Sequence, residues 1–238
     1  MGRAFEYRKA SKMKRWGAMS KAFTKIGKQI AIAVKAGGPN PDGNSRLKIL
    51  LQNAKGVSMP KDKVESAIKR AANKDLNDYI ETIYEGYAAH GVAVLVECTT
   101  DNVNRTIASV RTAFGKGGGA IGTSGSVAFM FERKSHFKFP NTGQDVDDLE
   151  LELIDFGLDE IFLDEEDNMF NAYAAFTDFS QMQKALEEKG IEVASSEMTF
   201  LPTNVTVSLT EEQMVDVDKL LEKLEELDDV NNVYTNLG

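Results

Sequence analysis

The stretch Gly91-Val92-Ala93-Val94-Leu95-Val96-Glu97 is a near-continuous apolar run, which is typical of a strand buried inside a sheet. Apolar and polar residues alternate over residues 80–84 and predict a second strand just before it. Apolar residues at 107–114 recur at helical spacing and predict a helix just after it. Strands and helices in close succession predict an α+β fold.

A similar set of elements is predicted near the C-terminus. Residues 205–209 alternate as a strand, and Thr210-Glu211-Glu212-Gln213 is a capping box that opens a helix. Val233 and Tyr234 fall in a final short strand. A further strand is predicted at 127–131. The strand at 91–97, the helix at 107–114 and the strand at 127–131 then form one β-α-β set, and the C-terminal elements form a second. A long segment lies between the two sets.

The interposed segment repeats the pattern. Its strands are predicted at 137–139, 160–163, 169–175 and 192–200, with helices between the first and second and between the third and fourth. The order β-α-β-β-α-β is the ferredoxin-like arrangement. The sequence therefore predicts an N-terminal three-helix basic module followed by two ferredoxin-like α+β domains, the third inserted into the second. The predicted boundaries are 1–75 for the basic helical domain, 80–133 plus 204–238 for the discontinuous middle domain, and 134–203 for the inserted acidic domain.

Charge is divided unevenly along the 238 residues. Residues 1–75 hold 18 Lys and Arg against 5 Asp and Glu, a formal charge of +13, and the remainder carries −22, which together give the net charge of −9. Such an asymmetry suggests a basic module for nucleic acid joined to an acidic body. Basic ribosomal proteins are candidate partners for that body.

The basic module is predicted to be helical beyond a loose basic arm from Met1 to about Lys14. In its first helix, apolar residues at 19, 23, 26, 30 and 33 form one stripe, and lysines form a row on the opposite face. A second helix begins at Asn44 or Ser45 as its cap, and a third begins near Pro60.

The predicted nucleic-acid contacts are cations of the arm and first helix, with two further cations of the middle domain. They are Arg3, Arg8, Lys9, Lys12, Lys14, Arg15, Lys21, Lys25, Lys28, Lys35, Arg105 and Lys116. A solvated lysine face is the alternative, but acidic residues are almost absent before Asp42, and Phe5, Tyr7 and Trp16 can stack on bases. The glycine-rich loop from Lys116 to Gly125 either contacts RNA backbone or a partner, or simply connects two elements of a hairpin; both interpretations stay open.

Seven short stretches of the chain match a known family. They are Phe23-Thr24-Lys25, Asn44-Ser45-Arg46-Leu47, Met59-Pro60-Lys61-Asp62, Tyr84-Glu85-Gly86-Tyr87, Thr100-Asp101-Asn102-Val103-Asn104-Arg105-Thr106, Gly117-Gly118-Gly119 and Gly125-Ser126-Val127. In these stretches, which occur in the same order over essentially the whole chain, the sequence resembles the YebC/PmpR family, which includes the mitochondrial translational activator of cytochrome oxidase. The resemblance implies a three-domain cytoplasmic protein that acts as a DNA-binding transcriptional regulator.

Two other functions compete with that one. A ribosome-associated translation factor that binds ribosomal RNA and relieves stalled translation would tolerate the charge division better than a duplex-DNA binder. An enzyme or small-ligand sensor on the ferredoxin-like domains is less favoured. The chain has one cysteine and two histidines, so it offers few side chains for nucleophilic catalysis or metal binding. We therefore expect no catalytic residues, metal or cofactor. We also expect no membrane contact, because no apolar run approaches the ~18 residues of a span.

Overall fold

The computed structural model describes residues 3–73, 78–203 and 209–237, with side chains described from residue 19 onward. The predicted strand at 205–209 therefore lies mostly outside the described residues. The chain divides into two compact units, Met1–Ile80 and Glu81–Gly238.

The N-terminal unit consists of three helices, as predicted. They are α1 (Arg3–Gly37), α2 (Ser45–Gly56) and α3 (Lys61–Ala72). Their core includes Ile26, Ile30 and Ala33 from α1, with Leu47, Leu50, Ala54, Ala67 and Ala71 from the other two helices. The α1 positions are those of the predicted apolar stripe, except that Met19 is exposed and Phe23 is only half-buried.

The start of α1 differs from the predicted loose arm. The helix backbone is continuous from Arg3, because residues 3–16 are rich in Ala, Lys, Arg and Met, which are strong helix formers, and contain no proline.

A buried amide joins the first two helices. Asn44 Nδ2 donates hydrogen bonds to the carbonyl oxygens of Ala33, at 2.8 Å, and Gly38, at 2.9 Å, near the end of α1. Asn44 Oδ1 accepts a hydrogen bond at 3.0 Å from the N–H of Leu47, so Asn44 rather than Ser45 caps α2. One side chain therefore satisfies backbone groups at the end of one helix and the start of the next.

The second unit contains two antiparallel sheets. The first is built from β1 (Ile80–Tyr87), β2 (Ala93–Thr100), β3 (Ala120–Ile121) and β8 (Val230–Thr235), in the order β3-β1-β2-β8. Helices α4 (Val103–Lys116) and α7 (Glu211–Glu225) pack on it around Val94, Val96 and Cys98. The apolar run at 92–96 is therefore buried, as predicted.

The second sheet lies between β3 and α7 in the chain. Its elements are β4 (Phe131–Pro140), α5 (Val146–Leu153), β5 (Leu158–Asp164), β6 (Met169–Ala175), α6 (Phe179–Glu188) and β7 (Ser195–Pro202). The strand order β5-β6-β4-β7 with all pairs antiparallel is the ferredoxin-like arrangement. This confirms the predicted α+β fold class, while the domain boundaries at 133/134 and 203/204 stay a prediction.

The predicted strand at 127–131 is wrong. A 3-10 helix occupies Ala128–Met130, and the strand beside β1 is the short β3 instead. The cause is the buried carboxylate of Glu85 in β1, whose Oε1 accepts a hydrogen bond from the N–H of Gly125, at 2.6 Å. Glu85 Oε2 accepts the N–H groups of Val127, at 2.7 Å, and Ala128, at 2.8 Å. A side chain thus takes the donors that a neighbouring strand would have used.

These donors also set the charge state of Glu85. Burial alone would raise the pKa of its carboxyl, but the three backbone N–H groups outweigh burial and hold the pKa below its usual value. Glu85 is therefore expected to be ionised in the folded protein at neutral pH.

We expect Asn44→Ala to loosen the N-terminal unit selectively. The lost hydrogen bonds are worth about 3 kcal/mol, so protected amides of α2 should exchange about 100-fold faster in hydrogen–deuterium exchange. Asn40→Ala is the matched control, because Asn40 is exposed and its side chain only accepts a hydrogen bond from Asp42 N–H. Equal exchange in both variants would contradict the role given to Asn44.

We expect Glu85→Gln to lower the free energy of unfolding by about 2 kcal/mol at pH 7, because glutamine cannot supply a charged acceptor. The folded-state pKa of Glu85 is lowered, so its stabilisation is complete above the unfolded-state pKa of about 4.3 and is lost as pH falls through the lower folded value.

The gap between wild type and Glu85→Gln should therefore be largest above about pH 5 and should close towards acidic pH. Urea denaturation across this pH range measures the gap, with Glu81→Gln, an exposed carboxyl on the same strand, as the control. A gap that is independent of pH would show that Glu85 is not ionised in the folded protein.

Candidate nucleic-acid interface

A groove of about 520 Å³ runs between α1 and α3 in the N-terminal unit. Its apolar wall comes from Phe23 and Ala31 of α1, Ala67 of α3, Met59 and Tyr79. Hydroxyl groups also line it, from Ser20, Thr24 and Ser66. This volume lies within the range of ordinary ligand pockets.

Two lysines lie over the aromatic rings of the groove. Lys28 Nζ is 5.9 Å from the centroid of the Tyr79 ring, and Lys63 Nζ is 5.9 Å from that of Phe23. Both distances are at the outer limit of a cation–π interaction. A third cation, Arg70, lines the same groove, and its Nε donates to the Ser66 carbonyl oxygen at 3.3 Å.

The groove is strongly cationic. Among its lining residues, Lys28, Lys63 and Arg70 face one carboxylate, that of Asp62. Aromatic rings beside cations and hydroxyls can stack on a base and bind the adjoining phosphates.

The predicted lysine row of α1 divides between different environments. Lys28 lies in the groove, Lys21 is exposed and Lys25 is half-buried on the helix surface, and Lys35 forms an ion pair with Asp78. The other predicted cations of α1 belong to the part of the helix whose side chains the structure does not describe. They are Arg3, Arg8, Lys9, Lys12, Lys14 and Arg15.

Arg105 in the second unit is part of a hydrogen-bonded network. Its guanidinium donates hydrogen bonds to Asp229 Oδ2 at 2.9 Å and to Asp101 Oδ1 at 2.8 Å. Both contacts raise the pKa of the guanidinium, and the contact with Asp229 has the larger effect. Asp229 Oδ2 also accepts the hydroxyl of buried Thr106 at 2.7 Å. Asn102 caps α4, because its side-chain oxygen accepts a hydrogen bond from the N–H of Arg105. These contacts give Arg105 a structural role; its contact with nucleic acid stays a prediction.

Backbone conformation explains Gly118, and close packing explains Gly117 and Gly119. Gly118 has φ of +76°, the left-handed conformation that ends a helix, and the N–H of Gly119 donates to the Phe114 carbonyl oxygen at 2.9 Å. A Cβ at Gly119 would stand 2.5 Å from the Tyr87 carbonyl oxygen. This geometry favours the interpretation that the three glycines connect α4 to β3. Lys116 is exposed at the end of α4, and its contact with nucleic acid stays a prediction.

Sequence reasoning missed four residues of the groove: Phe23, Tyr79, Lys63 and Arg70. The apolar stripe of α1 includes Phe23 and so predicts a core position for it. A signal was present in α3, where Lys63, Ser66 and Arg70 recur at spacings of three and four and so share one helix face.

Within residues 3–73, 78–203 and 209–237, no helix is both long enough and apolar enough to cross a membrane. Among the side chains described from residue 19 onward, no group of three or more His, Cys, Asp or Glu residues is arranged to hold a metal ion.

Comparison with known proteins gives matches along nearly the whole chain. The family model described as the TACO1/YebC protein N-terminal domain matches residues 3–74, and that described as TACO1/YebC second and third domain matches residues 79–237. A probable transcriptional regulatory protein of Flavobacterium johnsoniae is 55% identical over 98% of this chain and 98% of its own length. One of the same description from Bacteroides fragilis is 55% identical over 100% of this chain and 96% of its own.

A solved structure is also similar. The crystal structure of a conserved hypothetical protein from Aquifex aeolicus has a TM-score of 0.82 and 37% sequence identity, covering 92% of this chain and 90% of that one. These findings confirm the resemblance drawn from the sequence. The chain belongs to the TACO1/YebC family.

Proposed function

We propose that this chain is a non-enzymatic, cytoplasmic regulator of gene expression that binds nucleic acid through its N-terminal unit. The observation that carries the proposal is the groove between α1 and α3, where three cations and two aromatic rings converge. The charge of +13 on residues 1–75 would supply long-range attraction to phosphate. The relatives' description as probable transcriptional regulatory proteins supports the regulatory part.

The nucleic acid is either DNA or ribosomal RNA. The relatives' description favours DNA and control of transcription. The accessible rings of Phe23 and Tyr79 favour RNA and a role in translation, because sequence-specific RNA recognition commonly uses stacking on unpaired bases. Under the translational alternative, the acidic second unit would face basic ribosomal proteins.

Crosslinking in cells, followed by sequencing of the bound DNA and RNA together, distinguishes the two. Discrete promoter peaks support transcriptional control, and enrichment of ribosomal RNA supports the translational alternative. Arg105 and Lys116 remain proposed as a second contact surface in either case.

We expect the full chain with Lys28, Lys63 and Arg70 all changed to Gln to bind nucleic acid about tenfold more weakly or worse. The loss should be similar for all sequences, because phosphate contacts position a protein without specifying a sequence. The slope of log affinity against log salt should fall in magnitude by about 3. Fluorescence anisotropy at several salt concentrations measures both quantities.

The matched control changes Lys138, Lys189 and Lys219 of the second unit to Gln. These lysines form surface ion pairs with Asp167, Glu152 and Asp216, which contribute little to stability. The control removes the same number of charges, so an equal loss of affinity in both variants would mean that net charge alone, and not the groove, binds nucleic acid.

A further inference from the structure

A glycine lies in the wall of the groove where packing does not require one. Gly27 is in α1 and lines the groove, and a Cβ added there would meet nothing within 4 Å. Glycine inside a helix lowers helix stability relative to alanine. By contrast, a Cβ at Gly37 would stand 2.8 Å from Asn44 Nδ2, so that glycine is explained by close packing. The effect of Gly27 is to leave the groove open.

The space that Gly27 leaves open has two kinds of wall. The rings of Phe23 and Tyr79 offer flat apolar surface, and Lys28 and Lys63 stand over those rings. A purely apolar ligand would make no use of the positive charge of these lysines, and a simple anion would make no use of the rings. A ligand with a planar ring and an attached anion satisfies both, and a nucleotide unit has that composition.

We propose that this groove binds one unpaired base of a single strand, with its adjoining phosphates on Lys28, Lys63 and Arg70. The inference rests on the proposed function and makes it more specific, because it names single-stranded nucleic acid as the preferred ligand. In a duplex the bases are stacked on one another, and a base must be unstacked at a cost before it can enter a pocket.

Filling the groove tests this directly. Gly27→Leu places a side chain in the groove, keeps all three cations and both rings, and replaces a poor helix former with a good one. Gly115→Leu is the matched control, because Gly115 is an exposed glycine of α4 whose Cβ would also meet nothing within 4 Å. Phe23→Leu is a second variant, which keeps apolar volume but removes the stacking surface.

The measurement is fluorescence anisotropy of the full chain with a labelled single-stranded RNA of about 12 nucleotides and with the duplex of the same sequence. We expect wild type to bind the single strand more tightly. Gly27→Leu and Phe23→Leu should each weaken single-strand binding about tenfold and leave duplex binding unchanged, since one stacked base contributes about that much. Gly115→Leu should change neither affinity, and circular dichroism should give the three variants the helix content of wild type.

Two outcomes would overturn the inference in different ways. If wild type binds nucleic acid but both groove variants leave single-strand binding unchanged, or weaken duplex binding equally, the base-binding groove is wrong and the proposed function stands. The same measurement is made with DNA of the same sequence, single-stranded and duplex. If wild type binds none of these RNA and DNA ligands, the proposed function fails and this inference fails with it. If Gly27→Leu has less helix than wild type, the single-strand affinity of Phe23→Leu alone tests the inference.

Discussion

The hydrogen bonds of the buried Asn44 amide fix the connection between the first two helices of the N-terminal unit. The amide hydrogen-bonds to carbonyl oxygens near the end of α1 and to the first turn of α2, and so fixes the corner between the two helices. α3 then packs against α1, and the groove exists because those two helices are held side by side. Asn44 therefore stabilises the unit that holds the candidate interface without lining the groove itself.

The second unit uses its charged residues differently. Glu85 binds three backbone N–H groups, and Arg105 joins α4 to Asp229. Both lie in stretches that carry the family resemblance, yet in this structure their visible contacts are internal. The N-terminal unit instead has an open groove, lined by cations and aromatic rings, that a ligand can enter. This contrast is why the proposed interface is placed in the first unit.

Periodicity predicted much of the fold because its cause is local. The helical stripe through Ile26 and Ile30 and the apolar run at 92–96 are buried as expected. The prediction of a strand at 127–131 is wrong because the carboxylate of Glu85 accepts hydrogen bonds from the N–H groups of Val127 and Ala128. Glu85 is more than forty positions away, so no local pattern reveals this contact. The groove was missed for a similar reason: Phe23 and Lys63 come together only after α3 has packed on α1.

The central claim is that nucleic acid lies against the α1–α3 groove. Ultraviolet crosslinking of the full chain to labelled RNA and DNA, followed by mass spectrometry of the crosslinked peptides, tests it most directly. The account predicts crosslinks at Phe23 and Tyr79, whose rings would lie against the bound bases. Crosslinks confined to residues 81–238 would contradict it.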